Sequence, residues 1–342
     1  MSIHRRSFLK FSGYCGATAL LTTTGMLRPS QSLAADVAPL TMQLDWKFNV
    51  QFAGLLLADY LGLYQQKGLN VTLNPWQSDM VVPEVVSEAP LTIGCSEQNL
   101  ILEAQAKGAP LKAIATMFQS SPYALMALPD SGITTLRDLI GKRVGIHLDG
   151  VKVMELVKGV NGLQPEDIEI VEIPYENKLE RLISGEFAAL QCYAVDEPIA
   201  FAQKVGKEAT LMPMDQYGYK AYAQVFFTTD RLLNQQPEQI KAFLEASFEG
   251  WQRAFADVSG TAEIIAKRYA EAGSKYTNVE YQQQSLELVK QYVMRGIAAE
   301  QLGVISPAQW QQAADMMVQY DIIGQSPVME SSLDLSLWGG NS

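Results

Sequence analysis

The chain has 342 residues, of which 48% are hydrophobic and 18% are charged. This composition is typical of a folded globular protein and excludes a disordered chain, and the length predicts two domains, because a single core rarely grows beyond roughly 250–300 residues. The formal net charge of −11 argues against nucleic acid and anionic membrane surfaces as partners, since like charges repel.

The first 34 residues have the features of an export signal. Arg5 and Arg6 precede the run Ser-Phe-Leu-Lys, an apolar stretch without acidic residues covers residues 11–27, and small residues end the segment at Ala34. Paired arginines in this setting are typical of the twin-arginine route, and the apolar stretch is shorter than the roughly 20 residues of a membrane span. We therefore predict that residues 1–34 are a twin-arginine signal peptide and that the mature protein, which does not span the membrane, works in the periplasm.

Two cysteines, Cys95 and Cys192, remain after this segment. In an oxidising compartment they either form a disulfide or serve as two small buried apolar residues, and we favour the second interpretation. Neither has neighbours with metal-ligand spacing, so the sequence predicts no metal site.

From residue 40 onward, short β-type runs alternate with helical patterns, which is typical of an α/β protein with a largely parallel sheet. In the first part of the chain we predict strands at 40–44, 71–73, 91–95 and 111–118, and helices at 52–66 and 98–107. The next part is predicted to contain strands 123–128, 143–146, 168–173, 189–194 and 210–214, and helices 135–140, 151–159, 178–184 and 198–204.

The strand predicted at 222–228 leads back toward the first part, and the remaining chain is helical. Amphipathic patterns predict helices at 239–256, 261–272, 279–295 and 307–320. This order predicts two lobes joined by two crossings, with a cleft and a hinge between them. Residues 35–124 and 225–342 would form lobe 1 with its helical tail, and residues 125–224 would form lobe 2.

The common catalytic patterns are absent from the mature sequence. His147 is its only histidine, and it contains no Gly-x-Ser-x-Gly segment and neither of the usual glycine-rich phosphate loops. The sequence therefore predicts no catalytic residue, no metal and no cofactor. A hydrolase based on paired carboxylates, such as Glu97 with Glu197, stays open.

Polar and aromatic residues gather at the carboxyl ends of the predicted strands, where ligands bind in open α/β sheets. The candidate ligand-binding residues are Trp46, Phe48, Asn49, Phe52, Ser96, Glu97, Gln119, His147, Tyr193 and Glu197. Rigid rings combined with amide, hydroxyl and carboxylate groups suit a planar polar organic ligand. Taken singly, Trp46 also suits a core, Asn49 a helix cap and Glu197 a helix N-terminus. Their shared position at strand ends favours a site.

Asp149 bears on the charge of the ligand. It lies at the predicted start of the helix after His147, where free backbone N–H groups hold anions in many proteins. We expect its carboxylate to occupy those donors and to repel a second negative charge, which argues against nitrate, sulfonate or phosphate.

Five segments resemble one known family. They are LDWKFNVQFAGL (44–55), GLYQQKGLNV (62–71), QAKGAPL (105–111), TLRDLIGKRVG (135–145) and DEP (196–198). The sequence resembles the periplasmic substrate-binding proteins of ABC importers, in the branch of thiamine-precursor and riboflavin binders and their nitrate, sulfonate and taurine relatives. That branch also holds a pyrimidine-precursor synthase.

The resemblance implies a fold, a mechanism and partners. The fold would be the type II periplasmic-binding-protein fold, which captures a small solute by hinge closure, and the partners an ABC permease and its ATPase. Trp46 and Asn49 would form the wall of lobe 1, Ser96 and Glu97 the loop beneath it, and Glu197 the wall of lobe 2. We expect a monomer that binds a planar heterocyclic, pyrimidine-like solute.

The sequence departs from the pyrimidine-type members at two positions. They usually show Trp-x-Pro-Asn-x-x-His, whereas Phe48 and Phe52 stand here in place of the proline and the histidine. These replacements favour a more apolar or larger aromatic ligand. A binder of nitrate, sulfonate or taurine, a secreted enzyme related to the synthase, and a sensor that presents solute to a membrane receptor are the alternatives.

Overall fold

The computed structural model describes residues 39–78, 80–175 and 177–339, in which ten strands form two five-stranded sheets. The predicted signal peptide lies outside the described residues. The first sheet has the order β2-β1-β3-β10-β4. Its strands are β1 (Pro39–Gln43), β2 (Asn70–Asn74), β3 (Thr92–Ser96), β4 (Leu111–Phe118) and β10 (Ala223–Thr229). β1 is parallel to β2 and β3, and β10 is antiparallel to β3 and β4.

The second sheet has the order β7-β6-β8-β5-β9. Its strands are β5 (Tyr123–Ala127), β6 (Lys142–Ile146), β7 (Ile168–Glu172), β8 (Ala189–Tyr193) and β9 (Thr210–Pro213). β6 is parallel to β7 and β8, while β5 is antiparallel to β8 and β9. The chain thus leaves the first sheet after β4 and returns to it with β10. The lobe boundaries that we assigned from the sequence stay a prediction.

Helices fill the connections and the C-terminal third. They are α1 (Ala53–Tyr60), α2 (Leu63–Gln66), α3 (Val82–Glu88), α4 (Gln98–Ala106), α5 (Leu148–Val160), α6 (Lys178–Ile183), α7 (Glu197–Val205), α8 (Asp230–Gln235), α9 (Pro237–Ala256), α10 (Val258–Arg268), α11 (Val279–Val293), α12 (Pro307–Gln319) and α13 (Met329–Ser332). Thr229, Asn278 and Ser306 cap α8, α11 and α12 with side-chain oxygens, which satisfies backbone N–H groups that a helix leaves free. The predicted helical C-terminal region is confirmed.

Two predicted helices were wrong in detail. The run 52–66 is a 3₁₀ turn (Val50–Phe52) followed by α1 and α2, and Gly62, whose left-handed backbone has a φ of 68°, separates the two helices. The run 135–140 is a 3₁₀ turn over Leu136–Leu139.

The longest helix, α9, packs directly on α1 in the core of the first sheet. A Cβ atom built on Gly250 would lie 2.0 Å from the Gly54 carbonyl oxygen, and one on Gly54 would lie 2.3 Å from the Trp251 ring. Glycine is therefore required on both sides of this crossing. Trp251 fills the space beside it and is fully buried.

Cys95 in β3 and Cys192 in β8 are both buried and both free. They act as the small apolar residues that we favoured and form no disulfide. Among residues 39–78, 80–175 and 177–339, no helix is long and apolar enough to cross a membrane.

Candidate ligand-binding site

Four aromatic side chains from both sheets meet where parallel strands end. Trp46 follows β1 and Trp76 follows β2, whereas His147 follows β6 and Tyr175 follows β7. The Trp46 and Trp76 rings stack with centroids 5.2 Å apart, and the Tyr175 ring lies 5.0 Å from Trp46 and 5.6 Å from Trp76. The His147 and Tyr175 centroids are 4.2 Å apart. We call these four residues the aromatic cluster; it joins the two sheets.

Three acidic side chains lie behind the aromatic cluster. Asp45 precedes Trp46, Glu97 connects β3 to α4, and Asp149 lies in the first turn of α5. All three interact electrostatically with one another. We call Asp45, Glu97 and Asp149 the carboxyl cluster. Its members also come from both sheets.

Asp45 is held by a side chain on the returning strand. Gln224 Nε2 in β10 donates to Asp45 Oδ2 at 3.0 Å, and the Cys95 thiol lies 3.9 Å from Asp45 Oδ1. Gln224 has a left-handed backbone with φ of 52° and is 1% exposed. Its Oε1 atom has no hydrogen-bond partner within the described residues. Buried polar atoms are normally paired, so this oxygen is an unused hydrogen-bond acceptor beside the carboxyl cluster.

Glu97 binds two hydroxyl groups. Tyr193 OH, at the end of β8, donates to Glu97 Oε1, and Ser121 Oγ donates to Glu97 Oε2 at 3.1 Å. The Tyr193 bond crosses from the second sheet to the first. Glu97 is thus a buried carboxyl group fixed at both oxygens.

Asp149 is held by the hydroxyl of Tyr123 and by Gln191, whose Nε2 lies 3.4 Å from Asp149 Oδ1. The Gln191 Oε1 atom accepts the backbone N–H of His147 at 3.0 Å. A Cβ atom on Gly150 would lie 2.0 Å from that oxygen, so only glycine lets Gln191 approach α5. The helix begins at Leu148, and the Asp149 carboxylate does not occupy the terminal N–H groups as predicted, because it is hydrogen-bonded to the side chains of Tyr123, Gln191 and Tyr175.

Burial raises the pKa values of all three carboxyl groups. It raises the pKa of Asp45 to about 7, against hydrogen bonds that lower it, with the Asp149 charge adding to the increase. Burial also raises the pKa of Glu97 well above its ordinary value and raises that of Asp149. The cluster therefore holds protons at pH values where exposed carboxylates are ionised.

A buried ion pair lies beside the aromatic cluster. Lys178 Nζ is 2.5 Å from Glu197 Oε1 and 3.4 Å from His147 Nε2, and the other Glu197 oxygen accepts the Tyr193 backbone N–H at 2.7 Å. Burial and then the Lys178 charge lower the pKa of His147 to about 3. Burial opposes the ionisation of Glu197, but the Lys178 ammonium outweighs it and lowers the pKa of that carboxyl. His147 is therefore neutral at physiological pH. The charges of Lys178 and Glu197 cancel each other.

The structure brings together five of the ten predicted residues: Trp46, Glu97, His147, Tyr193 and Glu197. Ser96 ends β3 beside Glu97 and is 1% exposed. Glu197 was predicted on the wall of lobe 2. One of its carboxylate oxygens pairs with Lys178, and the other accepts the Tyr193 backbone N–H. The contact of these residues with a ligand stays a prediction.

The other four predicted residues have structural partners. Asn49 caps the 3₁₀ turn at Val50–Phe52 by accepting the Gln51 backbone N–H, and Phe52 is wholly buried in the core. Phe48 packs edge-on against Tyr269 at 5.9 Å, and Gln119 Nε2 donates to a backbone carbonyl at residue 304. Their predicted contact with a ligand is untested, and the site described here does not depend on it.

Sequence reasoning missed several residues of the site. Asp149 was considered only for the charge of the ligand and Asp45 only as part of the segment 44–55, whereas Trp76, Tyr175 and Gln224 were not considered. Trp76 and Tyr175 each follow a strand end, like the residues that were chosen, so position alone offered a signal for them. Gln224 lies inside a strand, and nothing in the sequence distinguishes it. Among the described residues, no group of three or more His, Cys, Asp or Glu side chains has the arrangement of a metal site.

Solved structures with this fold include solute-binding proteins. The chain matches the periplasmic nitrate-binding protein NrtA from Synechocystis with a TM-score of 0.68 at 12% identity, over 89% of this chain and 88% of that one. It matches the alkanesulfonate-binding protein SsuA from Xanthomonas axonopodis, bound to MOPS, with a TM-score of 0.65 at 17% identity, over 87% and 99%. The fold is the type II periplasmic-binding-protein fold that the sequence predicts.

The chain belongs to the NMT1/THI5-like family, whose profile matches residues 49–259, more than half of its length. It is 28% identical over 221 residues to the 4-amino-5-hydroxymethyl-2-methylpyrimidine phosphate synthase of Legionella pneumophila, which is 61% of this chain and 67% of that protein. It is 21% identical over 259 residues to the riboflavin-binding protein RibY of Chloroflexus aurantiacus, 73% of each chain.

Proposed function

We propose that this protein is the extracytoplasmic solute-binding component of an ABC importer and that it captures a small planar nitrogen heterocycle. The observation that carries the proposal is the joining of two clusters, one aromatic and one carboxylic, by residues from both sheets. A ligand that contacts both sheets at once favours their approach, because only the closed arrangement makes every contact.

The aromatic cluster supports a planar ligand. The rings of Trp46 and Trp76 are within 25° of parallel, and flat π surfaces of this kind bind other flat rings with little loss of conformational freedom. A linear or tetrahedral solute such as an alkanesulfonate gains much less from them.

The carboxyl cluster supports a neutral or cationic ligand with N–H donors. Burial and the charges of neighbouring members oppose the ionisation of Asp45, Glu97 and Asp149, and the neighbouring Lys178 is already paired with Glu197. A protonated or amino-substituted ring nitrogen would favour ionised carboxylates here and donate to them and to Gln224 Oε1, whereas an anion would oppose their ionisation and find Lys178 already paired.

The names of the relatives agree with this ligand class in part. The Legionella relative is named for a pyrimidine and the Chloroflexus relative for riboflavin, both planar nitrogen heterocycles. The nitrate and alkanesulfonate proteins share the fold at 12% and 17% identity. We place this protein with the heterocycle binders because of its buried acidic groups.

A second candidate is a secreted enzyme, because the Legionella relative carries a synthase name. His147 and Lys178 are the described groups best placed for it, at 3.4 Å from each other beside the aromatic cluster. An enzyme would convert its heterocycle with time. Chromatography of a bound pyrimidine after long incubation distinguishes the two, since a binding protein returns it unchanged.

The test of the proposal is a thermal-shift screen of residues 35–342 against pyrimidines, purines, flavins, amino acids, sulfonates, nitrate and bicarbonate. A compound that binds only the native state raises the melting temperature by mass action. We expect a shift of several degrees with one class of heterocycle and none with the anions. A shift with sulfonate or nitrate alone would contradict the proposal.

We also propose export by the twin-arginine route, on the basis of Arg5 and Arg6. Changing both to lysine keeps the charge and should leave the precursor in the cytoplasm, whereas Lys10→Arg should not. Fractionation and immunoblotting measure this. Normal export of the doubly substituted precursor would refute the route.

A further inference from the structure

Trp46 is the first member of a hydrogen-bonded chain that leads away from the ligand site. Its indole Nε1 donates to Tyr276 OH at 2.8 Å, and Tyr276 OH donates to Asp196 Oδ2 at 2.9 Å. Trp46 follows β1 in the first sheet, and Asp196 follows β8 in the second. The chain thus connects the Trp46 ring to the turn after β8 of the second sheet.

Tyr276 is itself fixed in place. It is 4% exposed, and its backbone carbonyl accepts Gln282 Nε2 at 2.8 Å. Gln282 Oε1 in turn accepts the Val50 backbone N–H at 3.2 Å, on the segment that carries Trp46. These contacts hold the Tyr276 phenol in place. The orientation of the Trp46 indole therefore depends on the position of the Tyr276 hydroxyl.

Asp196 gathers further donors from the helical region. Lys275 Nζ lies 2.8 Å from Asp196 Oδ2, and Tyr281 OH donates to Asp196 Oδ1. Ser285 Oγ donates to the neighbouring backbone carbonyl of Val195 at 2.6 Å. The turn after β8 is thus attached to the segment 275–285, so the position of the Tyr276 hydroxyl depends on the second sheet.

We propose that Tyr276 is a positioning residue for ligand binding, which sets the plane of the Trp46 ring and ties that plane to Asp196 across the cleft. This inference rests on the proposed function, because it requires that Trp46 stacks on the solute. A tryptophan ring without the bond would rotate about its side-chain torsions, and a stacking contact loses energy as the rings tilt. Tyr276 makes no ligand contact in this role and acts through Trp46.

The first test needs no ligand. The chain has five tryptophans, so ¹⁵N-tryptophan labelling gives at most five indole resonances, and the Trp46→Phe variant assigns one of them. We expect both Tyr276→Phe and Asp196→Asn to move the Trp46 resonance. Tyr276→Phe removes the hydroxyl that accepts the indole N–H, and Asp196→Asn removes the negative charge that the Tyr276 hydroxyl faces. Tyr269→Phe, which removes a phenol bonded to Asp59 in the same helical region, is the matched control and should leave it unmoved.

The second test is a double-mutant cycle on the affinity for 4-amino-5-hydroxymethyl-2-methylpyrimidine. One neutral hydrogen bond contributes about 0.5–1.5 kcal/mol, so Tyr276→Phe should weaken binding by about 2–12-fold in the native background. In the Trp46→Phe background, which keeps a ring but has no indole N–H, the same change should have less than about a 2-fold effect. Unchanged melting temperatures would show that the variants fold.

The outcomes separate the two proposals. If Tyr276→Phe leaves the Trp46 resonance unmoved, or weakens binding equally in both backgrounds, the positioning role is wrong. If this pyrimidine and every other heterocycle of the screen fail to bind, the proposed function is wrong, and the resonance still decides whether Tyr276 orients Trp46.

Discussion

Trp46 is the residue on which the two clusters and the proposed hydrogen-bonded chain converge. Its ring stacks on Trp76 and meets the Tyr175 ring at an angle of 56°, and its N–H group donates to Tyr276. Its neighbour Asp45 begins the carboxyl cluster. A single loop after β1 therefore supplies both the flat surface and the first acidic group of the site.

Replacing Trp46 with alanine should weaken heterocycle binding. Stacking of a base on an aromatic side chain contributes roughly 1–3 kcal/mol, which corresponds to about a 5–150-fold increase in Kd. Titration calorimetry measures it. Trp338→Ala is the control, because that ring stacks on Phe248 elsewhere in the fold; equal losses in both variants would exclude a stacking role for Trp46.

The raised pKa of the Asp45 carboxyl group predicts that the stability of the fold depends on pH. The folded carboxyl group keeps its proton up to a pKa of about 7, against an ordinary value of 3.8. Between these pH values the folded Asp45 side chain holds a proton that the unfolded one has lost, so the Asp45 contribution to the free energy of unfolding falls as the pH rises from 4 to 7 and does not change further above 7. Asp45→Asn removes this contribution, which is on the order of 2–4 kcal/mol.

The measurement is denaturant unfolding of both proteins at pH 4, 5.5 and 7. His147 titrates in the opposite direction, since its lowered pKa of about 3 makes stability rise as the pH rises toward 6.5, but it is present in both proteins and cancels in the difference. Asp138→Asn is the control: its carboxylate pKa is lowered by backbone N–H groups, so it acts below pH 4 only. Parallel curves for wild type and Asp45→Asn would contradict the raised pKa.

At the scale of single residues, the sequence predicted where the site lies better than which side chains form it. Strand ends are visible in the hydrophobic pattern, so the sequence predicted Trp46, Glu97, His147 and Tyr193, which the structure brings together; their contact with a ligand stays a prediction. Phe48 and Phe52 follow Trp46 at short spacing, yet Phe48 packs on Tyr269, and Phe52 ends the 3₁₀ turn and enters the core. The pairing of Gln224 with Asp45 joins residues 179 positions apart, which no local pattern shows.

At the scale of elements, α1 and α9 depend on a close crossing. Gly54 and Gly250 face each other with no room for a methyl group, and Trp251 seals the contact. Hydrophobic periodicity predicted both helices, but it does not show which helices touch. The glycines become informative only when the crossing is known.

Gly250→Ala should destabilise the fold. Its Cβ atom would lie 2.0 Å from a backbone oxygen of α1, so one helix must shift, and overpacking of this kind costs about 1–3 kcal/mol. Gly324→Ala is the matched control, because nothing lies within 4 Å of its Cβ position, and should change the unfolding free energy by less than about 0.5 kcal/mol. Urea unfolding compares them; equal stability of the two variants would contradict the close crossing.

At the scale of the whole molecule, polar contacts link elements of the two sheets around the site. Tyr193 donates to Glu97, Lys152 lies 2.6 Å from Glu103, and Lys275 lies 2.8 Å from Asp196. Each contact pairs residues distant in sequence and partly screened from water. Of the three, only the Lys152–Glu103 pair has a largely exposed partner, and exposed ion pairs contribute little by themselves.

Under the proposed function, binding of the solute should make the protein more compact. We expect the radius of gyration from small-angle X-ray scattering to fall when residues 35–342 are saturated with the heterocycle that gives the largest thermal shift, because the solute binds the closed arrangement more tightly and shifts the population toward it. Trp46→Ala at the same solute concentration is the control, since weaker binding should leave it near the ligand-free value. If calorimetry shows saturation and the scattering curve stays unchanged, the solute binds without hinge closure and the capture mechanism is wrong.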